Sequence, residues 1–345
     1  MSATDAALFD HVEAMTDERG MFEHARFDEP RPEHGYCTDD NARLLVVASR
    51  EPDGGVVGRL GRVALEFVRR AMAPDGRVHN RMDRGGAFTD VPSTADCWGR
   101  AMWGLGSAAS HHDDPTVQAT ASTLFRIGAG QRSTWPRSMA FAALGAADVL
   151  VHAPSLDIAR ALLGDAVAVI GRPGSGPWRW PEERLTYANA SLAEALIAAG
   201  AGLGDDDVLD DGLTMLDWLL DRWTRAGHLS VTGVDGDGAG TGVRERAATR
   251  PVAFDQQPIE VGSLADACWR AYTLTSNRRW SEGVLLAERW FDGDNDAGTP
   301  MRDATSGGAF DGLEPAGVNR NQGAESTLAL VSTRQRARSL VEVVR

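Results

Sequence analysis

The stretch Arg137-Ser138-Met139-Ala140-Phe141-Ala142-Ala143-Leu144-Gly145-Ala146-Ala147-Asp148-Val149 decides the fold, because it has helical composition and is apolar nearly all round. A helix without a polar face must be buried among other helices. Five further segments share the pattern and are polar mainly at their starts: residues 40–48, 96–109, 187–200, 258–272 and 323–332. Between them lie segments that keep charges on one face, as surface helices do: 6–15, 57–73, 115–128, 155–170, 206–225 and 277–292. Runs of alternating β-branched residues are nearly absent, so the chain reads as all-α. Six outer helices alternating with six inner ones predict an (α/α)6 toroid, a single domain over residues 1–345. Such a ring needs no capping repeat. An open solenoid fits less well, since its repeats are regular in length and sequence and these are not.

Composition narrows the functional classes. Of 345 residues, 43% are hydrophobic and 24% charged, with a formal net charge of −14. The chain can therefore bury a large core, and an acidic surface argues against nucleic acid as a partner. Every basic residue other than histidine is arginine, which removes lysine Schiff-base and P-loop chemistry. Cys37, Cys97 and Cys268 form no CxxC spacing. With no apolar leader and no apolar run of about 18 residues, a cytoplasmic protein without a membrane partner is expected. No cofactor motif occurs, and the histidines lack metal-ligand spacing, so neither cofactor nor metal is expected. Asp235-Gly236-Asp237-Gly238 lacks the closing glutamate of a calcium loop.

The informative residues sit in loops that lead into inner helices, and in a toroid all such loops share one rim. They include His34, Tyr36, Asp39 and Asp40; Trp178, Trp180 and Glu183; Tyr187 and Asn189; Asp255, Gln256, Gln257 and Glu260; and Asp311, Asn319, Asn321, Gln322 and Glu325. Pro258 suits the first position of a helix and places Glu260 in its first turn. The rim collects acids, amides and indoles, the groups that hold a sugar's hydroxyls and its flat C–H faces.

The strings Asp39-Asp40-Asn41-Ala42-Arg43, Asp96-Cys97-Trp98-Gly99-Arg100-Ala101, Trp178-Arg179-Trp180, Phe254-Asp255-Gln256-Gln257-Pro258-Ile259-Glu260 and Asn321-Gln322-Gly323-Ala324-Glu325-Ser326-Thr327 resemble the six-hairpin glycosidase-like proteins of bacteria and archaea. The likeness covers most of the chain, about 36–330. It implies an oligosaccharide or glycoside substrate, with a mannose-containing one as the class, and a functional association with a glycosyltransferase, since some relatives are joined to one.

Each candidate also has a structural reading. Asp39 with Arg43, and Asp96 with Arg100, are spaced for ion pairs on one helix face, which would leave Asp40 freer to face a cavity. Trp98 could wall Asp96 and raise its pKa. Glu260 and Glu325 could merely cap their helices. The favoured function is an inverting glycoside hydrolase with Glu260 as proton donor, Asp96 as base, and Asp40 and Glu325 as reserves. Trp180 and Gln256 are expected to bind substrate without taking part in the chemistry. Two alternatives stand beside it. A sugar epimerase or isomerase would want paired histidines on inner helices, and a noncatalytic glycan-binding module would have its carboxylates locked in ion pairs.

Overall fold

The structure is a computed structural model and describes residues 7–238 and 251–343. The inner helices are α2 (Thr38–Ala48), α4 (Asp96–His111), α6 (Pro136–His152), α8 (Ala190–Leu203), α10 (Pro258–Thr275) and α12 (Ala324–Val343). The outer ones are α1 (Asp10–Ala14), preceded by a 3-10 turn at Ala7–Phe9, then α3 (Gly55–Ala71), α5 (Pro115–Gly128), α7 (Asp157–Ile170), α9 (Asp206–Trp223) and α11 (Arg278–Phe291). Each inner helix packs on the next, and α12 packs on α2, so the ring closes as an (α/α)6 toroid. Among the described residues no helix is long and apolar enough to cross a membrane.

Two inner helices depart from the sequence reading. The fourth starts at Ala190 rather than 187, because Ala188 takes a positive φ of 43° and turns Tyr187 and Asn189 into a loop. The last runs to Val343, well past 332, because its late arginines find acidic partners: Arg334 pairs with Glu288 and Asp292, Arg336 with Asp266, and Arg338 with Glu51.

Small residues set how closely the inner helices approach. A Cβ placed at Gly145 would lie 2.1 Å from the Met102 carbonyl oxygen, and one at Gly106 would lie 2.2 Å from that of Gly145. The backbones of α4 and α6 therefore touch directly, with no room for a side chain between them.

The long loops all enter the inner helices at their N-terminal ends. Short antiparallel ladders fasten them, including Tyr36–Cys37 with Arg81–Met82 and Gly312–Glu314 with Gly317–Asn319. Outer helices α5, α9 and α11 are capped by Asp114, Asp205 and Asn277. Inner helices α4, α6, α8 and α10 have no side-chain cap, so their positive dipole ends face the rim that carries the acids. Of the Asp235–Gly238 run, Asp237 and Gly238 pair with Leu185 and Arg184; Ala239, Gly240 and Thr241 lie outside the described residues.

Candidate active site

At the N-terminal mouth the loops and helix starts enclose a funnel of about 490 Å³. Ten of the residues expected from sequence meet on its wall: Asp39, Asp40, Arg43, Asp96, Arg100, Tyr187, Gln257, Asp311, Asn319 and Glu325. Glu23, His24, Cys37 and Ser326 line it too. Glu23 and His24 come from the segment joining α1 to α2, where no sequence motif pointed to them. Six carboxyl side chains face two arginines there.

The ion pairs differ from those the spacing suggested. Arg43 takes Asp40 at 2.5 Å and also Glu325, whereas Asp39 is held by Arg100 at 2.8 Å. Asp40, expected to be the freer acid, thus takes the partner expected for Asp39, because Asp40 is the buried one and Asp39 points across to Arg100 of α4. The Asp96–Arg100 pair is present at 3.5 Å, on the same guanidinium nitrogen that holds Asp39.

These surroundings split the carboxyls. Burial pushes Asp39 up, but Arg100 and Arg43 outweigh it and hold this carboxyl below its ordinary range. Burial raises Asp96, with Arg100 opposing and the Asp39 charge reinforcing. The Tyr187 hydroxyl donates to Asp96. Burial lifts Asp40 to about 6 against the pull of Arg43, and it also raises Asp311. Glu325, by contrast, is 42% exposed on the far side of α2 from Asp96. One funnel therefore holds both shielded and water-open carboxyls, the arrangement that acid–base chemistry uses.

The other expected site residues lie off this wall. Glu260 is 2% exposed: its Oε2 accepts from the Asn189 backbone N–H at 3.2 Å and from Asn189 Nδ2 at 2.9 Å, and its buried Oε1 has no partner. Asn189 in turn accepts from Arg137 at 3.2 Å, and Arg137 donates to the Tyr187 carbonyl at 2.5 Å and lies 5.0 Å from its ring. Glu260 thus fastens, through Asn189, the loop that carries Tyr187.

Trp98 turns outward and donates to the Gly128 carbonyl of α5 at 3.1 Å, so it does not wall Asp96. Trp178 and Trp180 pack on Trp218 of α9, with ring centroids 5.0 and 6.0 Å away, and not over the funnel. Gln256 is fully buried, donating to Asp296 at 2.7 Å and to the Ala253 carbonyl at 2.8 Å. Tyr36 donates to Asp17 at 2.7 Å and stacks on Phe22. Gln322 ties Ser306 and Asp303 together, and Asn321 accepts from the Phe27 N–H. Asp255 sits beside Gly312, and Glu183 is exposed. His34 lies edge-on to His24 and is not itself on the funnel wall.

Glu23, Cys37 and Asp40 could bring three ligand atoms within 4.8 Å of one another. The Cys37 thiol, pushed well up by burial and by Asp40, donates to Asp40 at 2.9 Å.

Glu260 also has a consequence for stability. Burial lifts its carboxyl from an ordinary 4.5 to about 7, with Asn189 opposing. The folded protein favours the protonated form, so the stability this group contributes is fully present below about 4.5 and is lost as the pH rises through about 7. The loss is on the order of 3 kcal/mol. Glu260→Gln, which mimics the protonated acid, is expected to narrow the difference in unfolding free energy between pH 5 and pH 8, measured by urea denaturation.

No family model and no curated protein matches this sequence. Solved structures do match over essentially the whole chain. A sugar epimerase from a ruminal bacterium superposes with TM-score 0.71 at 12% identity, covering 99% of this chain and 100% of its own. A D-mannose isomerase gives 0.66 at 11%, covering 98% and 100%. An inactive variant of an α-1,6-mannanase of Salegentibacter sp. HEL1_6, with two consecutive aspartates replaced and α-1,6-mannotetrose bound, gives 0.62 at 13%, covering 97% and 99%. Identities this low speak to architecture, and the closed ring of inner helices, the outer layer and the loop-built mouth agree with it: the chain has the six-hairpin (α/α)6 glycosidase-like fold.

Proposed function

We propose that the protein is a carbohydrate-active enzyme that hydrolyses a glycosidic bond in a small, mannose-containing oligosaccharide at the N-terminal funnel, with inversion. The observation that carries this reading is the carboxyl split inside one cavity. Asp96, whose pKa burial raises and which accepts from the Tyr187 hydroxyl, is placed to protonate the departing sugar oxygen. Glu325, open to water on the other side of α2, is placed to take a proton from the attacking water. The glycosidic C–O bond breaks as the water oxygen bonds to the anomeric carbon. Asp39, Asp40, Gln257 and Asn319 supply acceptors and donors for ring hydroxyls. Six carboxyls against two arginines repel phosphate, which favours water over phosphate as the acceptor.

A second reading, sugar epimerisation, is supported by the overlap with the sugar epimerase. Against it, the funnel's one histidine among the described residues is His24, with a side chain 52% exposed and no histidine partner on an inner helix. The two readings separate by proton NMR on α-1,6-mannobiose, α-1,6-mannotriose, cellobiose and free mannose, with and without phosphate. Hydrolysis is expected, with the first-formed sugar carrying the inverted anomeric configuration. A retained anomer rules out the mechanism, and a 2-epimer without bond cleavage establishes the alternative.

A further inference from the structure

The toroid has a second mouth. At the C-terminal ends of the inner helices a cavity of about 530 Å³ opens on the face opposite the funnel. Between the two lies a small void of about 30 Å³ lined by Phe141, Ile259 and Leu328, with Arg43 of the funnel and Trp103 and Glu194 of this mouth at its ends. No loop motif marks this end, and its residues read in sequence as ordinary charges near helix ends.

Its chemistry is mixed rather than anionic or cationic. Three arginines and four carboxylates line it. Arg270 is spent partly on Glu194 at 2.9 Å and Asp148 at 3.2 Å, and Arg336 gives its Nε to Asp266 at 2.6 Å. Among the described residues, no hydrogen bond occupies the Nη groups of Arg336 or Nη1 of Arg270, which leaves donors at the cavity. Asp148 and His111, 4.0 Å apart, add acceptor and donor capacity. Trp103 and Trp269 are part-exposed, each with an arginine about 6 Å from its ring, and they give the mouth its flat apolar surfaces. A phosphate or carboxylate ligand would meet more negative than positive charge here, and a hydrocarbon would strand the fixed donors and acceptors. A neutral polyol with one apolar face satisfies both sets of groups.

We propose that this mouth is a second saccharide-binding site, noncatalytic and independent of the funnel, holding a neutral sugar on Trp269 with its hydroxyls on Arg336, Arg270 and Asp148. The funnel reading enters only in the choice of probe sugars. Stoichiometry and turnover are separate readouts, so either idea can fail alone.

The test is calorimetric titration of the full chain with α-1,6-mannotriose and with cellobiose, in parallel with the hydrolysis assay. Two variants probe the mouth. Trp269→Ala removes the stacking surface, and Val151→Arg, at a position 68% exposed on its edge, obstructs it without touching the core. At least one of the sugars is expected to give a second, weaker binding event in the wild type, which both variants weaken by about tenfold or more while turnover is unchanged. A single site for both sugars, or a second event that survives in both variants, overturns the proposal.

Discussion

Asp96→Asn is expected to lower kcat on the best mannooligosaccharide by about 10²–10⁴-fold, the range a positioned general acid contributes. A sugar bearing a good aryl leaving group needs little protonation and should recover most of the lost rate in this variant. Glu325→Gln removes the base that activates water and should be impaired on both substrates. The pH profile carries the sign of the assignment. A proton donor must be protonated, so activity falls as the pH rises through the Asp96 pKa, which burial raises from its ordinary value. That limb should vanish in Asp96→Asn. If it persists, the donor is another carboxyl, and Asp40, lifted to about 6, then sets its position.

The largest effect on stability is expected at a residue with no polar chemistry. Gly145→Val would drive a Cβ to within 2.1 Å of the Met102 carbonyl and add two methyls where α4 and α6 touch backbone to backbone. Neither backbone can yield without parting the ring, so the variant should lose more than about 4 kcal/mol or fail to fold. Gly164→Ala supplies the contrast. Gly164 lies on α7 with nothing within 4 Å of an added Cβ, so alanine should stabilise by about 0.4–1 kcal/mol. Thermal melts of the two variants against wild type measure both. A Gly145→Val protein melting like wild type would mean that α4 and α6 are not in direct backbone contact.

How legible the molecule was depends on what each residue's direction rests on. The fold could be read because an all-apolar helix such as 137–149 has only one place to go, and six of them separated by amphipathic helices close naturally into a ring. The acids in the first turns of α2, α4 and α12 were also readable, since their helices aim those turns at the mouth. Direction within a turn was not. Successive residues rotate by about 100°, so Glu260, expected in the funnel, turns instead into the packing against Asn189. The loop aromatics were less legible still. Trp178 and Trp180 could face inward or back, and the deciding partner, Trp218, belongs to an outer helix far away in sequence. Gln256 looked like a sugar ligand, but its backbone pairs with Leu313 and its side chain follows into the packing around Asp296.

Closure of the ring by α12 against α2 also bears on when the site comes into being. The seam is made by residues far apart in sequence: Arg43 with Glu325, Arg50 with Ser332, Gln335 with the Val47 carbonyl. On a ribosome these partners emerge 282 to 288 residues apart, and the loop they close takes in most of the toroid. Contacts of such high sequence separation are costly to form early. Hairpins from the middle of the chain can pair as they appear, whereas Asp96 and Glu325 share a cavity only after the last helix docks. Nascent or truncated chains lacking α12 would then carry most of the fold's helices and none of its paired chemistry, so activity would arrive in a single late step.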